Sequence, residues 1–262
     1  MRRRVLYVLA IASILGVAVD AETSQLRTVH VFVALADNQH QGIVPVAAIL
    51  GNGEDAQRNL YWGSAYGVKT FFARAPDWER IRCEAGPKDE ILERCVFKYN
   101  AANVYLIADA YRGMQIKQSI LDFLDSATGD GADTIRIKDK SGAVDLPIRG
   151  GANLLAYIGH DGLMDFQLPR LPRQKNPAHR DVVLLACASK QYFADAVKAT
   201  GAYPLVWTTG LMAPEAYTLK SALDGWIAGE NNEQIRDRAA AAYDKYQKCG
   251  VRAAHRLLVS GW

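Results

Sequence analysis

The sequence predicts an α/β fold, a three-layer sandwich built on a mostly parallel central sheet. Three observations predict it. Residues 28–36, 104–110, 153–159, 181–186 and 203–208 form short, nearly unbroken apolar runs, as strands covered on both faces require. Segments with helical spacing of apolar residues lie between or after them, and such alternation calls for right-handed crossovers into one parallel sheet. Half of the 262 residues are apolar, enough for a sizeable core, and no linker or internal repeat divides residues 22–262, which read as one domain.

The first run, 28–36 (TVHVFVALA), leads into a polar loop, Asp37-Asn38-Gln39-His40-Gln41-Gly42. Residues 54–73 carry Leu60, Tyr61, Ser64, Ala65 and Val68 at helical spacing behind Asn52-Gly53 and are predicted helical. The charged stretch 83–98 predicts a short helix leading into a strand at 95–99, and 104–110 (VYLIADA) is the next strand. Ile116, Ile120, Leu121 and Leu124 share one face of a helix over 114–126. The runs 134–138 and 143–148, separated by Lys140-Ser141-Gly142, predict a β-hairpin. The 153–159 strand, a Pro- and Arg-rich loop at 168–180 and the 181–186 strand follow. A helix over 189–200, the 203–208 strand (YPLVWT) and helices over 213–228 and 233–248 complete the chain.

Arg2, Arg3 and Arg4, an apolar stretch over 5–19 and Ala21 read as a secretion signal occupying residues 1–21. The stretch is short for a membrane span and is followed at once by Asp20, Glu22, Thr23 and Ser24. The expectation is an exported protein, periplasmic or extracellular, without stable membrane insertion once the signal is removed; the alternative is an uncleaved N-terminal anchor. Cleavage takes three arginines and one aspartate from 31 basic and 28 acidic residues, so the mature chain is nearly neutral. No basic stripe with interleaved aromatics marks a nucleic-acid partner.

Cys83 and Cys95 could close a small disulfide loop in an oxidising compartment. Cys187 and Cys249 are then either a second bridge or two free thiols. None of the four cysteines falls in a zinc-ligand spacing, and neither a metal nor an organic cofactor is expected.

Two of the apolar runs end in side chains with chemistry. The first runs through Tyr157-Ile158-Gly159 into His160, and the second through Leu184-Leu185-Ala186 into Cys187. As neighbouring parallel strands they would present a thiol and an imidazole on the carboxyl edge of the sheet, where open α/β folds place their ligand sites. That pair is the minimum equipment of a cysteine nucleophile. His30 and His40 have no ligand spacing and read as core or surface residues. Gly51-Asn52-Gly53 is too short for a phosphate cradle.

A strand ending in Gly-His, a crossover, a strand ending in Ala-Cys, then helix, strand and helix resembles the caspase-like peptidases. That superfamily includes the legumain and glycosylphosphatidylinositol transamidase family, the gingipains, separase and CHAT domains. The matching stretches are YIGHDGLMDF (157–166) and VVLLACAS (182–189). The resemblance implies a caspase-like sheet, Cys187 as nucleophile forming an acyl-thioester and His160 as general acid and base. It also implies an oxyanion hole from the backbone N–H groups of Cys187 and Gly162. In the legumain family an asparagine after the first strand orients the histidine; Asn38 stands in a comparable place and otherwise reads as a turn former. By the same resemblance Thr208, Thr209 and Gly210 are pocket candidates. Asp37 is a candidate for recognising a basic substrate side chain. The chain departs from the pattern at Asp161, where the family usually has glycine directly after the histidine. That side chain either binds a basic substrate group or contacts solvent.

The expected activity is thus an exported cysteine peptidase with a peptide or protein substrate. The competing expectation is a catalytically silent caspase-like module that binds a peptide or protein partner. A hydrolase or transferase acting on another acyl group would share the same pair.

Overall fold

The computed structural model describes residues 25–140 and 142–262; the expected signal segment lies outside the described residues. Its strands are β1 (Arg27–Ala34), β2 (Trp78–Lys88), β3 (Ile91–Tyr99), β4 (Val104–Tyr111), β5 (Asp133–Asp139), β6 (Gly142–Ile148), β7 (Leu154–Ile158), β8 (Asp181–Leu185), β9 (Tyr203–Thr208) and β10 (Leu258–Val259). Its helices are α1 (Val68–Arg74), α2 (Ile116–Ala127), α3 (Ser189–Thr200), α4 (Ala216–Ile227), α5 (Asn232–Gln247) and α6 (Val251–Leu257). Eight strands form one sheet in the order β10-β9-β8-β7-β1-β4-β3-β2, while β5 and β6 pair as a separate hairpin. The five central strands are parallel, and antiparallel β10 and the β3/β2 pair close the two edges.

Alternation along the buried strands divides the core into two. Val29, Val31 and Val33 of β1 and Leu154, Ala156 and Ile158 of β7 face α1, α4 and α5, packing with Phe72, Leu219, Leu223 and Ile235. Phe32, Leu155, Tyr157 and Leu184 face α2 and α3, packing with Ile120, Phe123, Phe193 and Val197. Both faces are therefore covered, and the molecule is a three-layer α/β sandwich with a mostly parallel sheet. The β5/β6 hairpin covers the outer part of the α2 face through Ile137, Leu146 and Ile148 against Val96, Tyr105 and Ile107. On that face, between hairpin and α2, lies a buried polar cluster. Asp109 accepts both Nε and Nη2 of Arg94, at 2.5 and 2.7 Å, and Nε2–H of His30 at 3.0 Å.

Two predicted elements differ. Residues 54–73 are not one helix: only 68–74 are helical, and the segment before them is a chain of turns held by Asn59. The fully buried Asn59 amide accepts the Ala36 and Tyr61 N–H groups and donates to the Ala36 and Asn52 carbonyls. A side chain competing this well for backbone groups stops the helix. The predicted helix near residue 83 is instead the β2/β3 hairpin. Cys83 and Cys95 stand directly opposite in its register and form a disulfide. Cys187 and Cys249 are both free, so the second bridge is not formed.

Candidate active site

The parallel register sets the site. Ile158 of β7 pairs with Leu185 of β8, so His160 and Cys187 each lie two residues beyond the same rung of adjacent strands. Neighbouring strands are about 4.8 Å apart, which makes the two backbones close neighbours at this edge. The Gly159 N–H bonds the Leu185 carbonyl at 3.2 Å and continues the pairing past the strand ends. Gly159 is required here, with φ at 154° and the carbonyl oxygen of Ala34 lying 2.9 Å from where a β-carbon would be.

Cys187 is half-buried on a tight turn into α3. Ala188 adopts a left-handed conformation, φ 49° and ψ 32°, which a non-glycine residue takes only when its surroundings impose it. Those surroundings are specific. The Ala188 N–H donates to the Gly210 carbonyl, the Ser189 hydroxyl to the Leu184 carbonyl and the Thr208 hydroxyl to the Ala186 carbonyl. Thr208 Oγ1 also accepts the Ser189 N–H at 3.1 Å. Thr208 is fully buried and braces the cysteine turn from below, so the structure corrects its expected place in an open pocket. Thr209 is exposed and spends its hydroxyl on the Arg256 carbonyl at 2.6 Å.

The Cys187 sulfur accepts the Met212 N–H at 3.4 Å and faces the Met212 carbonyl at 3.6 Å. The Cys187 N–H itself makes no hydrogen bond within the described residues. Tyr61 packs close enough to feel the thiol: burial, then Cys187 and Glu215, push its phenol well above the usual range.

His160 is buried, and its Nε2–H donates to Asp165 Oδ2 at 2.7 Å. This leaves Nδ1 as the nitrogen without a partner among the described residues. The same oxygen of Asp165 accepts the Gly42 N–H at 3.0 Å, tying the loop after β1 to the histidine. Gly42 must be glycine for this approach, because a β-carbon there would overlap the carboxylate. Asp165, not Asn38, is thus the residue that holds the histidine ring. The Asn38 amide is committed to its own loop, donating to the Val46 carbonyl at 2.8 Å and accepting the Val46 N–H at 3.1 Å. Asp37 is also committed: one oxygen accepts the Gln39 and His40 N–H groups and the other faces His40 Nδ1 at 2.8 Å.

Asp161 neither meets solvent nor faces the edge as an open carboxylate. It is fully buried, and Oδ1 caps the 3₁₀ turn Gly162–Met164 by accepting the Leu163 N–H at 3.0 Å. Its Oδ2 has no partner among the described residues. Burial pushes this carboxyl up to about 7, against the downward pull of the Leu163 N–H and with a further push from Asp165. Gly162 opens the turn, where a β-carbon would press on Phe166, Ile116 and Ile120.

Met212 and Asp165 were not among the expected site residues. Met212 meets Cys187 from 25 residues on and only through the fold, whereas Asp165 lies five residues beyond His160 inside the 157–166 stretch. Among the described residues one group of three ligand-type side chains lies close enough to share an ion, Cys83, Glu93 and Cys95, and its two sulfurs are bonded to each other. No helix among the described residues is long and apolar enough to cross a membrane. Comparison with protein-family models, curated proteins and solved structures found no match.

Proposed function

We propose that the protein is a cysteine peptidase of the caspase-like kind, in which Cys187, His160 and Asp165 act together. The observation that carries this reading is the coincidence at one sheet edge of a free thiol, on a turn held in left-handed geometry, with a histidine whose far nitrogen is fixed by a carboxylate. Asp165 holds His160 with the proton on Nε2, leaving Nδ1 to take the thiol proton and return it to the leaving amine. Thiolate attack on the scissile carbonyl forms the C–S bond, and expulsion of the amine leaves an acyl-thioester that water hydrolyses. The uncommitted Cys187 N–H is one donor for the developing oxyanion, and the Gly162 N–H is the second that the resemblance assigns. A free thiol and an imidazole suffice for this route. The basic and apolar N-terminal segment, together with the Cys83–Cys95 disulfide, supports export.

The test is alkylation of the folded protein, in a Cys249→Ser background, by a peptidyl electrophile, with the adduct located by mass spectrometry. Labelling is expected at Cys187, with a rate that falls about 100-fold or more in His160→Ala, the scale of losing a general base. An intact fold with an unlabelled Cys187 would overturn the enzyme and favour the silent, partner-binding module.

A further inference from the structure

The loop over residues 42–51 reads GIVPVAAILG, ten residues without a charged or hydrogen-bonding side chain, yet it lies at the surface. Val44 is 81% exposed and Ile49 53%. It is not loose chain. The Asn38 amide grips Val46 on both sides, Gly42 is fixed to Asp165, and the Leu50 and Gly51 N–H groups both bond the Ala47 carbonyl. The fold therefore holds an aliphatic surface open to water at a fixed place. Leu211, 72% exposed, and Met164 add to the apolar surface of this edge, in the segments that follow β9 and β7.

An exposed apolar surface held in order marks a place where something binds. The hydrogen bonds say what it adjoins. Gly42 is one bond from the carboxylate that holds His160, and Leu211 is next to Met212, which grips Cys187. One patch is thus joined to the histidine and the other to the cysteine of the proposed pair, so that a substrate acylating Cys187 has both as neighbours of its reacting groups. Of the carboxylates nearby, Asp37 is committed to its own loop, Asp161 is buried, and Asp165 is engaged by His160 and the Gly42 N–H. We infer that the substrate is an extended peptide segment with aliphatic side chains beside the scissile bond, received by Val44 and Ile49 on one side and Leu211 on the other. This rests on the peptidase reading above and specifies its substrate class.

The experiment incubates the protein with a proteome-derived peptide library and maps the cuts by mass spectrometry, using Cys187→Ala as the blank. Val44→Asp, Ile49→Asp and Leu211→Asp are made in parallel, with thermal melting as the check on folding. Expected are Cys187-dependent cuts enriched for Val, Ile, Leu or Met within two positions of the scissile bond. Each Asp variant should lower kcat/KM on such a peptide by about tenfold or more, as expected for spoiling an apolar subsite. Iodoacetamide, too small to use the surface, should label Cys187 in the variants at the parental rate. Cys187-dependent cleavage with no aliphatic preference, or cleavage indifferent to the three variants, overturns this inference and leaves the peptidase standing. Absence of any Cys187-dependent cleavage removes the peptidase and this inference with it. Variants that cleave normally but lose self-association in sedimentation, or lose binding to lipid vesicles, would assign the surface to a second copy or a membrane and likewise overturn it.

Discussion

Among the described residues two histidine–aspartate pairs have a buried imidazole, His30–Asp109 at 3.0 Å and His160–Asp165 at 2.7 Å, and their surroundings differ. In the first, every polar valence is used. Arg94 forks onto Asp109, and the other ring nitrogen of His30 accepts the Arg149 N–H at 3.0 Å. Both side chains are about 1% exposed. In the second, the carboxylate is 39% exposed, and the other ring nitrogen of His160 has no partner among the described residues. What separates a structural pair from a candidate catalytic one is an uncommitted nitrogen at the sheet edge that also carries a free thiol, not the pair itself.

Exchanging the two aspartates tests that distinction most severely. Asp109→Ala leaves a guanidinium buried without its counter-charge and should cost about 3–5 kcal/mol of stability. Chemical denaturation would read this as a lower midpoint. Asp165→Asn should leave the midpoint within about 1 kcal/mol, as for other partly exposed polar changes. It should nevertheless slow Cys187 acylation by about 100-fold or more, because an amide does not hold the tautomer that the carboxylate selects. The reverse pattern would break the comparison.

The same contrast explains what could be read from the sequence. The runs ending at His160 and Cys187 were legible because strands buried on both faces have to be continuously apolar, and their shared register follows from adjacency. The turns over 54–67 were not, because Asn59 builds them by bonding backbone groups up to 23 residues away, and their sequence pattern imitates a helix. Strand 95–99 was legible, but β2 and the first half of β3 were obscured by charged residues along a bulged pair at the sheet edge, where apolar alternation breaks down. Asp165 stands only five residues beyond His160, yet nothing in that spacing marks it, because it is the 3₁₀ turn Gly162–Met164 between them that brings the carboxylate to the ring. Asp161 could be noticed as a departure, but its burial beneath a 3₁₀ turn is a property of packing.

A smaller effect separates the two regions through the disulfide. Cys95 precedes Val96 on the strand that also carries Arg94, and Cys95 pairs with Ala108 next to Asp109. Replacing both Cys83 and Cys95 by Ser opens a loop with a sequence separation of 12 and should cost about 3 kcal/mol by the chain-entropy relation. The loss belongs to the structural pair's side of the sheet. Alkylation of Cys187 at a temperature well below unfolding should therefore be unchanged, and a large change there would show that the two regions are coupled.

The smallest effect is in the pH dependence, where the two regions oppose each other. His30 is held neutral: burial lowers its pKa more than Asp109 raises it, and the Arg149 N–H occupies the nitrogen that a second proton would need. The unfolded chain takes up that proton more readily, so this contribution to stability is present above the ordinary histidine value of about 6.5 and is lost as pH falls through it. Asp161 runs the other way. Its folded pKa is raised to about 7, so between the ordinary carboxyl value and 7 the folded state binds the extra proton, and stability falls as pH rises. Asp161→Asn keeps the oxygen that caps Leu163 and removes the titration. Denaturation midpoints at pH 5 and pH 7 should then show the variant gaining up to about 2 kcal/mol relative to the parent at the higher pH, the limit being one proton across the interval. An equal difference at both pH values would mean that Asp161 is ionised throughout and that its unpartnered oxygen is satisfied after all.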